Sequence, residues 1–352
     1  MEIFWKRVQV IWSIVVDLCF QRLYTRHLPS SPADLLKLLH ASNSNNHNHS
    51  KQLSDLTIIV TGATSGIGLH TAREFAMAGA HVVMACRNIS AANDIASKWR
   101  EEVNNDKMLN IEVMELDLLS LSSVRSFGEV WMQRALPLDL LINNAGIYKP
   151  GEPQTFSKDG VELQMQVNHI APSLLTMLLL PSLLRASSPR VISVSSIAHL
   201  KATIEIESWN SKVEQDKFSG FLTYGSSKLA HLMFLKTLAD KVVQHTENAA
   251  FKCIAVHPGG VGTNIDPMAY IAASTGLMFT PAEGSRSVIF CAASEYVTES
   301  LYNGFAYYSY DCKPDRISPL AYDTDACSVV WQKTMEISRI KNNYVFHLLG
   351  DN

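Results

Sequence analysis

Tyr224 and Lys228 are the pair of residues in this chain whose types and spacing point most directly to proton transfer. A separation of four places both side chains on one face of a helix, one turn apart. A tyrosine with an ordinary pKa of about 10 is a poor base at neutral pH, but a neighbouring ammonium group favours the phenolate. The pair therefore predicts a general acid/base, and the alternative is an exposed tyrosine on an amphipathic helix.

Two other polar residues could complete such a site. Ser196 follows an apolar run at Arg190–Ser195, and its hydroxyl could hold a substrate oxygen beside Tyr224 or simply cap the next turn. Asn168 lies among apolar residues in the long helical pattern of Gly160–Arg185. An amide in such surroundings is often a satisfied core group, but here it could hold a water molecule that relays protons.

A glycine-rich turn follows the first apolar run, Leu56–Val60, and has the sequence Thr61-Gly62-Ala63-Thr64-Ser65-Gly66-Ile67-Gly68. Its glycines would let the backbone approach a pyrophosphate, and the helix that follows would direct N–H groups at the phosphates. The spacing differs from the general G-x-G-x-x-G fingerprint. We predict dinucleotide contacts from Gly62, Thr64, Ser65, Gly66, Ile67 and Gly68, with a plain helix-entry turn as the alternative.

The ends of the next strands bear on the choice of cofactor. After the second strand the chain offers Arg87 and no carboxylate, which favours a 2′-phosphate and hence NADP(H) over NAD(H); the alternative is a solvated arginine. We expect Asp117 and Leu118 near the adenine, and Asn144, Ala145 and Gly146 along the cofactor. The positive ring of an oxidised nicotinamide would add to the effect of Lys228 on Tyr224.

Short apolar runs alternate with longer helical patterns from residue 56 onward, which predicts one α/β domain at 54–342. This domain is a doubly wound, Rossmann-type parallel sheet with helices on both faces. The predicted strands are Leu56–Val60, His81–Cys86, Ile111–Leu116, Leu138–Ile142, Arg190–Ser195 and Phe251–Val256. The predicted helices are Gly66–Ala78, Ser90–Val103, Ser120–Ala135, Gly160–Arg185 and Phe221–Val243. Residues 343–352 form a tail.

Composition excludes several classes of protein. The chain has 352 residues with 30 Lys+Arg against 33 Asp+Glu, so it is not a basic nucleic-acid binder. It is 47% apolar and 18% charged, which is typical of a globular protein. Six scattered cysteines without a C-x-x-C pair argue against a zinc site or a disulfide scaffold, so no metal is expected. No apolar run is long enough for a multi-span membrane protein.

The first 28 residues have a composition of their own. Val8–Phe20 is mostly apolar and is flanked by basic residues. Polar residues spaced by three or four, of which the last is Gln21, would form a stripe along a helix here, although apolar residues interrupt the stripe. We predict an amphipathic helix at a membrane interface, on the cytosolic side of the endoplasmic reticulum or another organelle. A helix packed on the body of a cytoplasmic protein is the alternative. Residues 29–53 predict a short helix capped by Ser31 and then a polar, low-complexity linker.

The order of these motifs resembles that of the short-chain dehydrogenase/reductase family over about residues 54–340. The resemblance rests on T-G-x-x-x-G-x-G, Asn143-Asn144-Ala145-Gly146, a strand-end serine and Y-x-x-x-K. It implies that Tyr224 is the general acid/base, Lys228 its partner and ribose ligand, Ser196 the orienting residue and Asn168 the relay amide. It also implies that a loop after the sixth strand borders the nicotinamide, through Pro258, Gly259, Val261 and Thr263.

Finer features resemble the retinol-dehydrogenase-like branch and plant oxidoreductases of that branch with an apolar N-terminal segment. They include Ala85-Cys86-Arg87-Asn88, Ser195-Ser196-Ile197-Ala198-His199 and Pro281-Ala282-Glu283-Gly284. The branch implies a retinoid, isoprenoid or sterol-like substrate. The apolar stretches Ile265–Ala273 and Gly276–Phe279 could cover such a substrate, or else form ordinary core or a homodimer contact.

Two other functions share some of these features. A non-catalytic dinucleotide-sensing or scaffold protein would keep the fold, but the complete Asn–Ser–Tyr–Lys set argues against it. A sugar-nucleotide epimerase would share Y-x-x-x-K, but those enzymes usually carry a different glycine loop and a larger C-terminal domain.

Overall fold

Seven parallel strands form a single sheet in the order β3-β2-β1-β4-β5-β6-β7. The computed structural model describes residues 16, 18, 20–45, 52–103, 108–245, 250–265, 276 and 278–349. The strands are β1 (Thr57–Thr61), β2 (His81–Cys86), β3 (Ile111–Glu115), β4 (Leu140–Asn143), β5 (Arg190–Val194), β6 (Lys252–Val256) and β7 (Phe305–Tyr308). The doubly wound fold predicted from the sequence is thereby confirmed.

Helices cover both faces of the sheet. The α-helices are α1 (Pro32–Asn45), α2 (Gly66–Met77), α3 (Ile89–Glu102), α4 (Leu121–Met132), α5 (Leu163–Met165), α6 (Ala171–Leu183), α7 (Gly220–His245), α8 (Pro281–Ala293), α9 (Thr324–Ile337) and α10 (Tyr344–Leu349). A π-helical turn, Gln166–Ile170, joins α5 to α6. Short 3₁₀ segments lie at Leu53–Asp55, Ile197–Lys201, Ile206–Trp209, Glu295–Ser300 and Pro319–Tyr322.

The strands are apolar throughout because both faces of the sheet are buried. Successive side chains point to opposite faces, so Ile59 joins the core under α4, α6, α7 and α9, whereas Ile58 and Val60 join the core under α1, α2, α3 and α8. The strand order reverses direction between β1 and β4, and in such sheets ligands bind beyond the carboxyl ends of the strands at this point. The glycine-rich turn and Asn144 both lie there.

The structure adds elements that the sequence analysis did not predict. The edge strand β7 and the helix α9 extend the fold at its C-terminal side. The long helix expected over Gly160–Arg185 is shorter, since α5 begins at Leu163 and α6 ends at Leu183, and it contains the π turn. Helix α1 runs through Asn45, into the segment that composition predicted to be a linker.

The described part of the N-terminal segment packs on the sheet domain. Gln21 and Thr25 are buried, while residues 20–24 are helical and expose Phe20, Leu23 and Tyr24. Most of the predicted helix over Val8–Phe20 lies outside the described residues. No helix within the described ranges combines the length and apolarity needed to cross a bilayer.

Candidate active site

Tyr224, Lys228 and Ser196 meet at the carboxyl edge of the sheet. Tyr224 and Lys228 lie one turn apart near the start of α7, and the Lys228 ammonium lies 5.8 Å from the centre of the Tyr224 ring. Ser196 follows β5, and its hydroxyl lies close enough to the Tyr224 phenol to lower the pKa of that phenol. The same hydroxyl accepts a bond from the Ala198 N–H at 3.3 Å, so it also caps the next turn, as the alternative prediction had it. The structure thus brings the three predicted residues together.

Burial controls the protonation of this pair. It raises the pKa of Tyr224 to about 12, and the neighbouring Ser196 hydroxyl opposes the rise. It lowers the pKa of Lys228 to about 8. The neighbouring ammonium, which we expected to favour the phenolate, does not outweigh desolvation in the protein alone. The phenol is therefore held in its protonated form, which is the form that donates a proton to a carbonyl oxygen.

Asn168 lies in the π turn rather than in a regular helix. Its amide oxygen accepts the Ile147 N–H at 2.9 Å, and its amide nitrogen donates to the Ile147 carbonyl at 2.9 Å and to the Ser227 hydroxyl at 3.0 Å. Asn168 therefore fixes the chain after β4 against α7. Single π turns occur frequently at functional sites, because they turn one side chain out of the helical register.

Asn144 and Thr61 fasten the glycine-rich turn to the end of β4. The Asn144 amide donates to the Thr61 carbonyl at 2.9 Å and to the Gly62 carbonyl at 3.4 Å. The Thr61 hydroxyl accepts the N–H groups of Asn144 and Ala145, each at 3.0 Å. A Cβ on Gly68 would collide with the Asn144 amide and the Gly62 carbonyl, so this position requires glycine. Asn144 thus shapes the turn that we expected it only to border.

The turn is built as an anion site at the start of α2. Gly62 and Gly66 have φ values of +66° and +59°, which L side chains rarely adopt. Ser65 precedes the helix, and its hydroxyl does not cap it. The helix presents N–H groups and the positive end of its dipole at this point, which is the arrangement that binds a pyrophosphate.

Lys228 also fits a dinucleotide. A lysine ammonium carries three donors, and within the described residues Lys228 Nζ has one acceptor, the Val194 carbonyl at 2.9 Å. A Cβ on Gly146 would lie 3.4 Å from Lys228 Nζ and 3.2 Å from the Asn168 amide oxygen. The two remaining donors could therefore bind ribose hydroxyls beside Gly146.

The predicted adenosine contacts lie at the ends of β2 and β3. Arg87 is exposed directly after β2, and it makes no hydrogen bond or ion pair with any residue that the structure describes. Asp117 follows β3, and its carboxylate accepts the Leu119 N–H at 3.0 Å. Leu118 and Ile67 bury their side chains in the core, which leaves their backbone atoms for any contact with a ligand.

The loop after β6 closes the crevice on the other side. A Cβ on Gly66 would lie 3.3 Å from the Thr263 methyl group, so the loop contacts the glycine-rich turn. Val261 packs on α8 at Gly284. Pro258 and Gly259 are buried at the start of the loop, and Ile265 lies near Gly146 at its end. The loop thereby reaches from the glycine-rich turn to Gly146, beside Lys228 and Asn168.

Comparisons with known proteins agree with this geometry. Residues 56–211 match the short chain dehydrogenase family. The chain is 40% identical to a "Dehydrogenase/reductase SDR family member FEY" of Arabidopsis thaliana over 97% of its length and 90% of that protein's. This chain belongs to the short-chain dehydrogenase/reductase family. It is an oxidoreductase of the retinol-dehydrogenase-like branch, since it is also 34% identical to mouse "Retinol dehydrogenase 12" over 82% of this chain and 88% of that protein.

A solved structure supports the fold of this dehydrogenase/reductase. An uncharacterized protein from Mycobacterium paratuberculosis superposes with a TM-score of 0.64 at 30% identity, over 83% of this chain and 98% of the other. Family membership and the doubly wound fold, both expected from the motifs, are confirmed.

An aromatic wall that was not predicted from the sequence lies beside Tyr224 of this dehydrogenase/reductase. The Tyr148 ring packs edge-on against the Tyr224 ring with 4.8 Å between centroids, and lies 6.5 Å from the Phe221 ring. Phe221 comes one turn before Tyr224 on α7, and this spacing could have indicated its place in the wall, whereas Tyr148 lies in the loop after β4, where no helical spacing applies.

The structure describes only part of the two apolar stretches, Ile265–Ala273 and Gly276–Phe279, that were predicted to cover the substrate. Residues 266–275 and Leu277 lie outside the described residues. Phe279 is buried in the core against Tyr310, with ring centroids 6.0 Å apart, so it does not cover the crevice. Ile265 is 37% exposed and lies near Gly146, beside Lys228 and Asn168.

Proposed function

We propose that this oxidoreductase uses NADP(H) to interconvert a lipophilic alcohol and its aldehyde or ketone, with Tyr224 as the general acid/base. The observation that carries the proposal is the meeting of Ser196 and Tyr224 beside Lys228 at the carboxyl edge of the sheet. Two hydroxyls that converge at this edge can hold one substrate oxygen between them.

In the proposed reaction, the bound nicotinamide supplies or accepts the hydride. During reduction Tyr224, protonated at neutral pH, donates its proton to the carbonyl oxygen while the Ser196 hydroxyl holds that oxygen in place. Lys228 then stabilises the phenolate that remains, because an ammonium group near the ring lowers the energy of the negative charge. Asn168 fixes Ile147 and Ser227 around this pair. Oxidation of the alcohol uses the same groups in reverse.

The preference for NADP(H) is proposed from Arg87. Its guanidinium group lies at the carboxyl end of β2, where the adenosine ribose binds in folds of this type. Within the described residues it has no carboxylate partner, so it could bind a 2′-phosphate without first breaking an ion pair.

A lipophilic substrate is proposed from the apolar surroundings of Tyr224. Tyr148 and Phe221 form one side of these surroundings, and Ile265 lies near Gly146 on the side of the β6 loop. Aromatic side chains offer a large apolar surface to a ligand at a small cost in conformational entropy.

Association with a membrane surface is proposed from the outer face of the N-terminal segment. Val16, Phe20, Leu23 and Tyr24 are 41–53% exposed and recur at helical spacing, and Arg26 lies exposed beside them. The proposed occupant of this face is an anionic lipid surface. Replacing both Phe20 and Leu23 with serine should reduce sedimentation with phosphatidylserine-containing vesicles, and unchanged sedimentation would contradict the proposal.

The proposed function is tested with the purified full chain, NADPH or NADH, and aldehydes of increasing chain length. We expect reduction with NADPH, and a rate constant kcat/KM that rises with the length of the apolar chain. Binding of the cofactor without turnover of any alcohol or carbonyl would instead indicate a non-catalytic protein.

A further inference from the structure

The N-terminal helical segment at residues 20–24 contacts the loop after β6 through the side chain of one buried glutamine. Gln21 is 0% exposed. Its amide oxygen accepts the Gly260 N–H at 2.8 Å, and its amide nitrogen donates to the Gly260 carbonyl at 3.2 Å. The two residues lie 239 positions apart, so this is a tertiary contact between the chain's beginning and the crevice loop.

The contact satisfies the backbone N–H group of Gly260, which is half-buried. The Gly260 carbonyl also accepts the Phe279 N–H at 2.8 Å, whereas within the described residues the Gly260 N–H has Gln21 as its acceptor. Backbone N–H groups shielded from water are rarely left unpaired, because the cost is comparable to that of a lost hydrogen bond. Loss of the Gln21 amide would therefore favour a shift of the loop that exposes this N–H to water.

The packing around the contact is close. A Cβ on Gly260 would collide with the Leu18 side chain, and a Cβ on Gly259 would lie 2.8 Å from the Gln21 amide oxygen. The two glycines therefore leave just enough room for the N-terminal helix to lie against the loop.

Arg22 binds the chain just before α8 and at its first turn. Its guanidinium group donates to the Gly276 carbonyl at 2.5 Å and to the Met278 carbonyl at 2.8 Å, and pairs with Glu283 at 2.9 Å. Neighbouring residues of one helix thus contact both ends of the segment that leaves β6 and reaches α8.

The loop that Gln21 holds is the one beside the catalytic groups. Three residues after Gly260, Thr263 contacts the glycine-rich turn, and Ile265 lies near Gly146 next to Lys228 and Asn168. We propose that Gln21 is a positioning residue that sets this loop for the nicotinamide end of the cofactor. The inference rests on the proposed function, and it makes the N-terminal segment part of the active site's supporting structure rather than an anchor alone.

The test compares two probes of the cofactor site in the full chain. NADPH spans the whole crevice, whereas adenosine 2′,5′-bisphosphate lacks the nicotinamide and reaches only the end near Arg87. We expect Gln21→Met, which keeps the length of the side chain but removes both hydrogen bonds, to raise the Kd for NADPH about five- to twentyfold. The Kd for adenosine 2′,5′-bisphosphate should change by less than about twofold, since that end is unaltered.

Three further variants serve as a second test and as controls. Gln332→Met makes the same replacement at an exposed position on α9 and should leave both Kd values unchanged. Arg22→Met alters a partly exposed residue, so it should fold, and we expect it to raise the Kd for NADPH about threefold, whereas Arg26→Met should not.

The outcomes separate the two proposals. Equal loss of affinity for both probes in Gln21→Met, or no loss for either, would overturn the role of Gln21. If Gln21→Met does not fold, an unchanged Kd for NADPH in Arg22→Met would overturn it instead. Failure of the unaltered protein to bind NADPH would count against the proposed function itself.

Discussion

The Lys228 ammonium lies 5.8 Å from the centre of the Tyr224 ring, yet the phenol keeps a pKa of about 12. Lys228 is buried and Tyr224 is half-buried, and desolvation disfavours each charged form: it raises the pKa of the tyrosine and lowers that of the lysine to about 8. The pair therefore favours proton donation by the tyrosine in the protein alone. An oxidised nicotinamide bound beside the pair would add positive charge, which favours the phenolate that alcohol oxidation would use.

Replacing Tyr224 with phenylalanine should abolish catalysis without abolishing cofactor binding. The ring and its packing against Tyr148 remain, but the proton donor is lost, so kcat should fall by about 10²- to 10⁴-fold. Steady-state kinetics and a fluorescence titration with NADPH would measure the two effects. The control is Tyr302→Phe, which makes the same replacement at an exposed tyrosine. A parallel loss of turnover and NADPH affinity in Tyr224→Phe would indicate a structural role.

Replacing Arg87 with glutamate should change the choice between the cofactors. A carboxylate repels the 2′-phosphate but can accept hydrogen bonds from ribose hydroxyls, so the Kd for NADPH should rise by about 10- to 100-fold while that for NADH changes little. Lys98→Glu makes the same change in net charge, two to three turns further along α3, and should affect neither Kd appreciably. Equal effects of the two variants on NADPH would mean that Arg87 acts only through overall charge.

Replacing Tyr148 with serine should reduce the preference for long apolar substrates. Loss of the ring removes apolar surface worth about 2 kcal/mol, so kcat/KM for a long-chain aldehyde should fall by about tenfold or more relative to a short one. Tyr148→Phe keeps the ring and should keep the preference, and the exposed Tyr302→Ser should have no effect. If Tyr148→Ser slowed both aldehydes by the same factor, the ring would serve to support Tyr224 and not to bind substrate.

The sequence predicted those parts of the fold and site that depend on local pattern. Buried strands and the turn after β1 follow from apolar runs and glycine spacing, and Tyr224 and Lys228 follow from the helical repeat. Ser196 was placed correctly because the carboxyl ends of parallel strands share one edge.

Other features depend on tertiary contacts, which local pattern does not encode. The π turn at Asn168 is stabilised by bonds to Ile147 and Ser227, residues from other elements. The burial of Gln21 depends on a loop far along the chain. Its position in an interrupted polar stripe therefore did not indicate a specific hydrogen-bond partner. The rise in the pKa of Tyr224 in the protein alone has a related cause, since desolvation depends on the whole surrounding structure.

The stability of the protein should fall as the pH drops below about 7, because three histidines are buried without charge. His169 donates to or accepts from Thr334 at 2.8 Å, and His231 and Ser193 are bonded at 3.0 Å. Burial lowers the pKa of His199 to about 4 and that of His231 to about 3, and lowers that of His169 well below its usual value. Each folded pKa thus lies below the ordinary unfolded value of about 6.5.

The sign of the effect follows from proton binding. Above about pH 7 the histidines are neutral in both states, and their contribution to stability is complete. As the pH falls from about 6.5 toward 4, the unfolded chain binds protons that the folded protein excludes, so each buried histidine costs about 1.4 kcal/mol per pH unit. Urea unfolding at pH 7.5, 6 and 5 would measure this loss.

His169→Phe should weaken this pH dependence. Phenylalanine preserves the packing against Trp209 and Phe234, and the Thr334 hydroxyl retains its bond to the Val330 carbonyl at 2.7 Å. The variant removes one titrating group, so its loss of stability between pH 7.5 and 5 should be about 2 kcal/mol smaller than that of the unaltered protein. The exposed His27, replaced by glutamine, should leave the loss unchanged. Identical losses in His169→Phe and the unaltered protein would show that this histidine titrates alike in both states.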